Sequence, residues 1–168
     1  MKNFRIFFLI GILFIYKMSY CQTPIYKITN IDAHLFYNLN NDFSDKKAAG
    51  TFSENIIDNP DFYLWNTIIG EGPAEGPSRQ TLIIVKIEGK SNTNETRTIQ
   101  VICKYDDKTV LKQENEFAIF TKSNVYFYAV LLNDTGCGNL EIIASIINAK
   151  TKKTEDNKKA AIDYECGE

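Results

Sequence analysis

Between Thr81 and Cys166 the chain repeatedly runs through β-branched, alternating segments closed by turn-forming clusters, at roughly 8–12-residue intervals. That spacing leaves room for strands and tight connections and almost none for helices, so it points to an all-β sandwich or a small β-barrel. Thr81–Gly89 is a β-branched run bounded by Gly, Pro and Ser before it and Gly-Lys-Ser-Asn after it. Arg97–Tyr105 alternates and closes on Asp106-Asp107-Lys108, residues suited to a turn. Val125–Asn133 is apolar on both faces, which predicts a central strand covered on both sides. Asp134–Asn139 reads as a turn, Leu140–Ala149 as the next strand, residues 150–159 as a charged loop tip and Ala160–Cys166 as the last strand. Asp32–Leu39 and Phe62–Ile69 are earlier strand candidates, and Val110–Lys112 and Glu116–Thr121 flank an expected bend. One helical turn fits Ser44–Ala49, capped by Ser44 and ended by Gly50.

Residues 1–21 stand apart from this pattern. Lys2 and Arg5 precede an unbroken apolar run from Ile6 to Tyr16, and the small residues Ser19 and Cys21 stand three and one positions before Gln22. This is the layout of an export signal cleaved before Gln22, and the apolar run is shorter than the roughly 20 residues a spanning helix needs. The expected mature protein is residues 22–168, one sandwich domain whose least certain part is 22–60, placed outside the cell or in the periplasm or envelope. Lipid anchoring at Cys21 is the alternative, but lipoprotein signals favour a small residue where Tyr20 stands. Losing Lys2, Arg5 and Lys17 leaves 16 of the 19 basic residues against 21 acidic ones and takes the formal charge from −2 to −5. A mildly acidic, evenly charged surface argues against nucleic acid or an anionic membrane as partner.

The final two-thirds of the chain is similar to an immunoglobulin-like antiparallel sandwich, with hairpins feeding the Tyr-rich segment Val125–Asn133. The resemblance implies strands of two sheets around one core, with loops at the ends available for recognition. It departs from antibody domains in that Trp65 precedes Cys103, Cys137 and Cys166. After cleavage these three cysteines leave one thiol unpaired. Cys103 shares a strand face with Ile99, Val101 and Tyr105 and should point inward, whereas Cys137 and Cys166 sit beside glycines at strand ends. A Cys137–Cys166 disulfide with Cys103 buried and free is the expected arrangement. A cross-sheet Cys103–Cys137 bond is the alternative that the resemblance implies.

Two segments are candidates for ligand binding. The loop Ile69–Ser78, with Glu71, Gly72 and Glu75, reads either as a rigid recognition loop at one end of the sandwich or as a plain connector. Its acids and prolines do not suit phosphate, and it does not open a helix as a dinucleotide site must. The pairs Tyr63/Trp65 and Tyr126/Tyr128 each share a strand face. Exposed, they would form a stacking platform for sugars or an apolar ligand; buried, they belong to the core. Metal binding has little support, since Asp58-Asn59-Pro60-Asp61 lacks a calcium-loop pattern and His34 is the only histidine. No nucleophile elbow accompanies His34. No cofactor, metal site or catalytic residue is therefore expected. The leading expectation is a binding module for a protein or a glycan. The alternatives are a small hydrolase using paired carboxylates and a carrier of a small apolar ligand.

Overall fold

The structure is a computed structural model that describes residues 26–36, 52–57, 80–90, 96–119, 124–133 and 138–164. Seven strands follow in order: β1 (Tyr26–Phe36), β2 (Gln80–Gly89), β3 (Arg97–Tyr105), β4 (Lys108–Phe117), β5 (Val125–Leu132), β6 (Gly138–Asn148) and β7 (Thr154–Tyr164). They form two antiparallel sheets with strand orders β1-β2-β5 and β4-β3-β6-β7. This is an immunoglobulin-like sandwich and not a closed barrel. In an immunoglobulin constant domain the fourth strand joins the first, second and fifth. Here a two-residue turn keeps it on β3: Asp106 and Asp107 have φ of 45° and 64°, and Tyr105 pairs with Lys108. Two successive positive φ values make the type I′ turn that matches the natural twist of a hairpin, and Asp tolerates that conformation better than most residues.

The alternation seen in the sequence becomes an alternation of burial. Ile83, Val85 and Ile87 of β2 face Ile99, Val101 and Cys103 of β3 and Leu140, Ile142, Ala144 and Ile146 of β6, all with no solvent exposure. Each such side chain removes roughly 1.5–3 kcal/mol worth of apolar surface from water, so these rows are the main source of cohesion. Polar links seal the sandwich where the rows end. The Thr81 and Tyr164 hydroxyls meet at 2.7 Å across the two sheets. Along the β1–β7 seam, the Ile28 amide donates to Asp156 Oδ2 at 2.7 Å and Lys158 Nζ donates to the Thr29 carbonyl at 2.6 Å. Those bonds sit at an irregularity of β1 between Ile28 and Asn30, where the ladder to β2 shifts register and frees backbone groups for the opposite sheet.

Three expectations are corrected. Val110–Lys112 and Glu116–Thr121 do not flank a bend: β4 is a continuous ten-residue strand hydrogen-bonded along β3. Its sequence hid this because most of its side chains are exposed on both faces, so no alternation marks it. The charged stretch 150–159 is a loop only as far as Lys153, and β7 begins at Thr154. Its charges were read as a solvated tip, yet Glu155, Asp156 and Lys158 turn to partners on β3 and β1. β5, finally, is a terminal strand and not a central one: it pairs with β2 alone among the named strands. Its inward residues fill the core while Phe127, Ala129 and Leu131 face outward and exposed. Phe62–Ile69 and Ser44–Ala49 lie outside the described residues.

Candidate binding surface

The two outer faces of the sandwich differ in chemistry. On the four-stranded sheet, Lys104, Lys112, Glu114, Glu141 and Lys159 surround the half-buried Ile102 and Ile143. Lys159 Nζ lies 2.6 Å from Glu141 Oε1, and Lys112 Nζ lies 3.1 Å from Glu114 Oε1. A hydrogen bond from Lys159 holds Glu141 below the usual carboxylate range, and one from Gln100 does the same for Glu114. These are exposed pairs of small energetic weight, the signature of a solvated face.

The outer face of the three-stranded sheet is apolar at its centre. The pairing of β1, β2 and β5 places outward residues in rows: His34, Leu82 and Leu131, then Asp32, Ile84 and Ala129, then Asn30, Lys86 and Phe127. Phe127 is 60% exposed and Leu131 37%. Phe52 continues the patch at one end, its ring 5.0 Å from Phe36. Polar groups gather on the β1 side, where Asp32 accepts from Asn30 and Asn55 and His34 Nδ1 donates to the Ser53 carbonyl at 2.9 Å. His34 therefore anchors the segment Phe52–Ile57 along β1.

Edges differ as well. β1 is covered by Phe52–Ile57, through Ser53 and Ile56 amides bonded to Leu35 and Ala33 carbonyls, and by the β7 side chains at the seam. β7 carries Glu155, Asp156, Lys158, Lys159 and Asp163, and β4 carries Lys108, Lys112, Glu114 and Glu116. Charged side chains of this kind discourage pairing with another chain. β5 (Val-Tyr-Phe-Tyr-Ala-Val-Leu-Leu) has neither a charge nor a proline.

Of the sequence-derived ligand candidates, Tyr126 and Tyr128 are described and point inward. Tyr126 stacks on Phe117 with centroids 5.0 Å apart, and its hydroxyl accepts from Asn115 at 3.3 Å. Both rings pack against the core, and burial pushes the Tyr128 hydroxyl above its ordinary pKa. Tyr63, Trp65, Glu71, Gly72 and Glu75 lie outside the described residues, as do Cys137 and Cys166. Phe127, Leu131, Leu82 and Ile84 are not marked as surface residues by the sequence, because the doubly apolar β5 predicts two covered faces.

Cys103 is free and wholly buried, which removes the cross-sheet Cys103–Cys137 alternative. Burial pushes its thiol from 9.0 up to about 12 and raises the Tyr164 hydroxyl too. An unfolded chain releases these protons first, so stability is complete below about pH 9 and falls as pH rises toward 12. Cys103→Val should make that decline shallower by up to about 1.4 kcal/mol per pH unit, read from denaturant midpoints between pH 9 and 12.

Among the described residues, no group of three His, Cys, Asp or Glu could hold a metal ion, and no helix is long and apolar enough to cross a membrane. No family model and no curated protein matches the chain. Among solved structures, a Bacteroides fragilis protein assigned as a beta-galactosidase is similar over 50% of this chain and 14% of its own, with 12% identity and a TM-score of 0.41. A beta-glucuronidase from glycoside hydrolase family 2 is similar over 51% of this chain and 10% of its own, with 11% identity and a TM-score of 0.40. The chain thus spans a small part of either protein.

Proposed function

We propose that this chain is an exported, non-catalytic binding module that takes up an extended segment of a protein partner along the edge of β5 that no other described strand pairs. The observation that carries the reading is the contrast between edges. Among the described residues, β1, β4 and β7 each bear cover or charge, whereas Tyr126–Leu132 of β5 is uncharged and lies at the end of its sheet. An extended peptide added there gains main-chain hydrogen bonds for affinity and alternate side-chain contacts for selectivity. The leader read at residues 1–21 supports an extracytoplasmic setting for that encounter.

Displayed random peptides selected on the full chain test this. Ala129 is outward and exposed at the middle of β5, so Ala129→Lys guards the edge without entering the core. Selected peptides should be extended and alternately apolar, should slow hydrogen exchange of β5 amides, and should lose at least about tenfold in affinity for Ala129→Lys, or about 1.4 kcal/mol. Peptides that bind both proteins equally would overturn the reading. So would a soluble glycan that binds both while no peptide binds either.

A further inference from the structure

The cover on the β1 edge has the form of a bound peptide. On the side of β1 away from β2, the amides and carbonyls of Ala33 and Leu35 all meet the segment Phe52–Ile57. Ser53 and Ile56 donate their amides to the Leu35 and Ala33 carbonyls at 3.0 and 2.8 Å. In the other direction the acceptors are side chains. The Leu35 amide donates to Ser53 Oγ at 2.9 Å, and the Ala33 amide donates to Asn55 Oδ1 at 3.0 Å. The segment runs antiparallel to β1, with one bridge between Phe36 and Phe52. Ser53 and Asn55 are two positions apart, the same spacing as the two β1 residues that they read.

Each position of the segment has its own task. Asn55 is held in register, with Oδ1 also accepting from the Ile57 amide at 3.3 Å and Nδ2 donating to Asp32 Oδ1 at 3.0 Å. The Ser53 carbonyl accepts from His34, and its hydroxyl donates to the Glu54 carbonyl at 2.7 Å. Ile56 is buried in the core, whereas Phe52 is half exposed and Glu54 faces solvent. The pattern is therefore aromatic-Ser-x-Asn-Ile: the polar pair reads the β1 backbone and the apolar pair flanks it. Edge recognition of extended peptides divides its work in the same way, into backbone bonds and alternate side chains. A segment of the same pattern from elsewhere can remake every one of these bonds, so exchanging one for the other leaves no polar group of β1 unpaired.

We infer that β1 carries a second recognition edge, on which residues 52–56 act as a built-in competitor displaced by an extended segment of another protein with the pattern aromatic-Ser-x-Asn-aliphatic. Fifteen residues join Phe36 to Phe52, and a tether of that order keeps the competitor at a local concentration on the order of millimolar. The contact is thus autoinhibitory, and only a partner that adds contacts beyond the shared pattern opens the edge. A second copy of this chain gains nothing there, because it would exchange identical bonds and lose its freedom to diffuse. The inference rests on the β1 contacts and stands whether or not the β5 edge binds peptides.

The probe is a fluorescein-labelled peptide of residues 52–57, Phe-Ser-Glu-Asn-Ile-Ile, titrated by anisotropy against the full chain and against its Ser53→Ala/Asn55→Ala double variant. Far-UV circular dichroism follows the sandwich. The double variant weakens the tethered competitor and should bind the peptide at least about tenfold more tightly than the parent. Hydrogen exchange at the Ala33 and Leu35 amides should quicken in the variant and slow again when peptide is added. A peptide with alanine in place of Ser and Asn should not bind, and Ala129→Lys should change nothing. If the double variant loses the sandwich signal, Asn55→Ala alone gives the same comparison; loss of the signal there too makes the segment part of the fold and overturns the inference. Three further results overturn it: a folded variant that binds no more tightly than the parent, equal binding of the alanine peptide, or parent protein whose Ala33 and Leu35 amides are exchanged between copies on concentration. Binding abolished by Ala129→Lys also overturns it while supporting the β5 reading, which separates the two.

Discussion

Glu155→Ala will destabilise the sandwich by about 3 kcal/mol, a fall of roughly 10 °C in Tm for a protein of this size. Arg97 is 3% exposed and its Nε donates to Glu155 Oε2 at 2.6 Å. The other carboxylate oxygen accepts from Asn148 Nδ2 at 2.8 Å, so one side chain of β7 ties β3 to the end of β6. The guanidinium also lies 5.9 Å from the Tyr26 ring centroid. Taking a charge out of water is expensive, and most of the predicted loss comes from removing this carboxylate from beside a buried guanidinium, which keeps its contact with the Thr96 carbonyl. Because Glu155 retains 22% of its side-chain exposure, solvent offsets part of the cost, and the loss falls at the low end of the range for buried pairs. A double-mutant cycle separates the two contributions. Glu155→Leu combined with Arg97→Met should recover most of the stability lost by Glu155→Ala, as measured by urea midpoints. A double variant as unstable as the single one would show that the pair's own attraction, or the Arg97–Tyr26 contact, dominates.

If, as we propose, residues 1–21 are removed on export and Cys137 and Cys166 are joined, reduction of the protein of residues 22–168 will lower its stability by about 3–4 kcal/mol. Pairing of β6 with β7 ends at Gly138 opposite Tyr164. Cys137 therefore precedes the last pair by one residue and Cys166 follows it by two. A disulfide needs Cα atoms roughly 4.4–6.8 Å apart, and both cysteines stand within two residues of that last pair in sequence. The bond would close a loop of about 30 residues, and the stabilisation follows from the entropy removed from the unfolded chain. Thermal unfolding with and without reductant measures it, with Cys137→Ser as the control that reductant should not affect. After denaturation without reduction, alkylation should find Cys103 as the single reactive thiol. Equal unfolding temperatures with and without reductant would exclude the bond.

How much of this architecture was legible beforehand differs from strand to strand. β2 and β3 were readable because each has one wet and one dry face, and period-two alternation follows from pleat geometry alone. The reading of Cys103 as inward and unpaired rests on the same periodicity, and the structure agrees. β4 was not readable, since a strand exposed on both sides has no reason to alternate. β7 was misjudged at its start because Glu155, Asp156 and Lys158 look like solvated charges until the other sheet supplies Arg97, the Ile28 amide and the Thr29 carbonyl. The apolar surface was missed for a related reason. A strand with two apolar faces looks the same whether its second face meets another layer of the fold or stands open at the boundary of a sheet.

Local pattern alone thus determined the all-β class, the positions of β2, β3 and most of β6, and the turn between Tyr105 and Lys108. Those features depend on neighbours along the chain, through alternation and turn chemistry. Tertiary structure decided which strands end each sheet, which charges enter the seam, and that Phe127 and Leu131 face outward while Tyr126 and Tyr128 pack, half-buried, against the core. Strand order is set by contacts between residues many positions apart, such as Ile28 with Asp156 or Thr81 with Tyr164. A periodicity of two says that a strand has two faces, and only packing against the other sheet says which of them is inside.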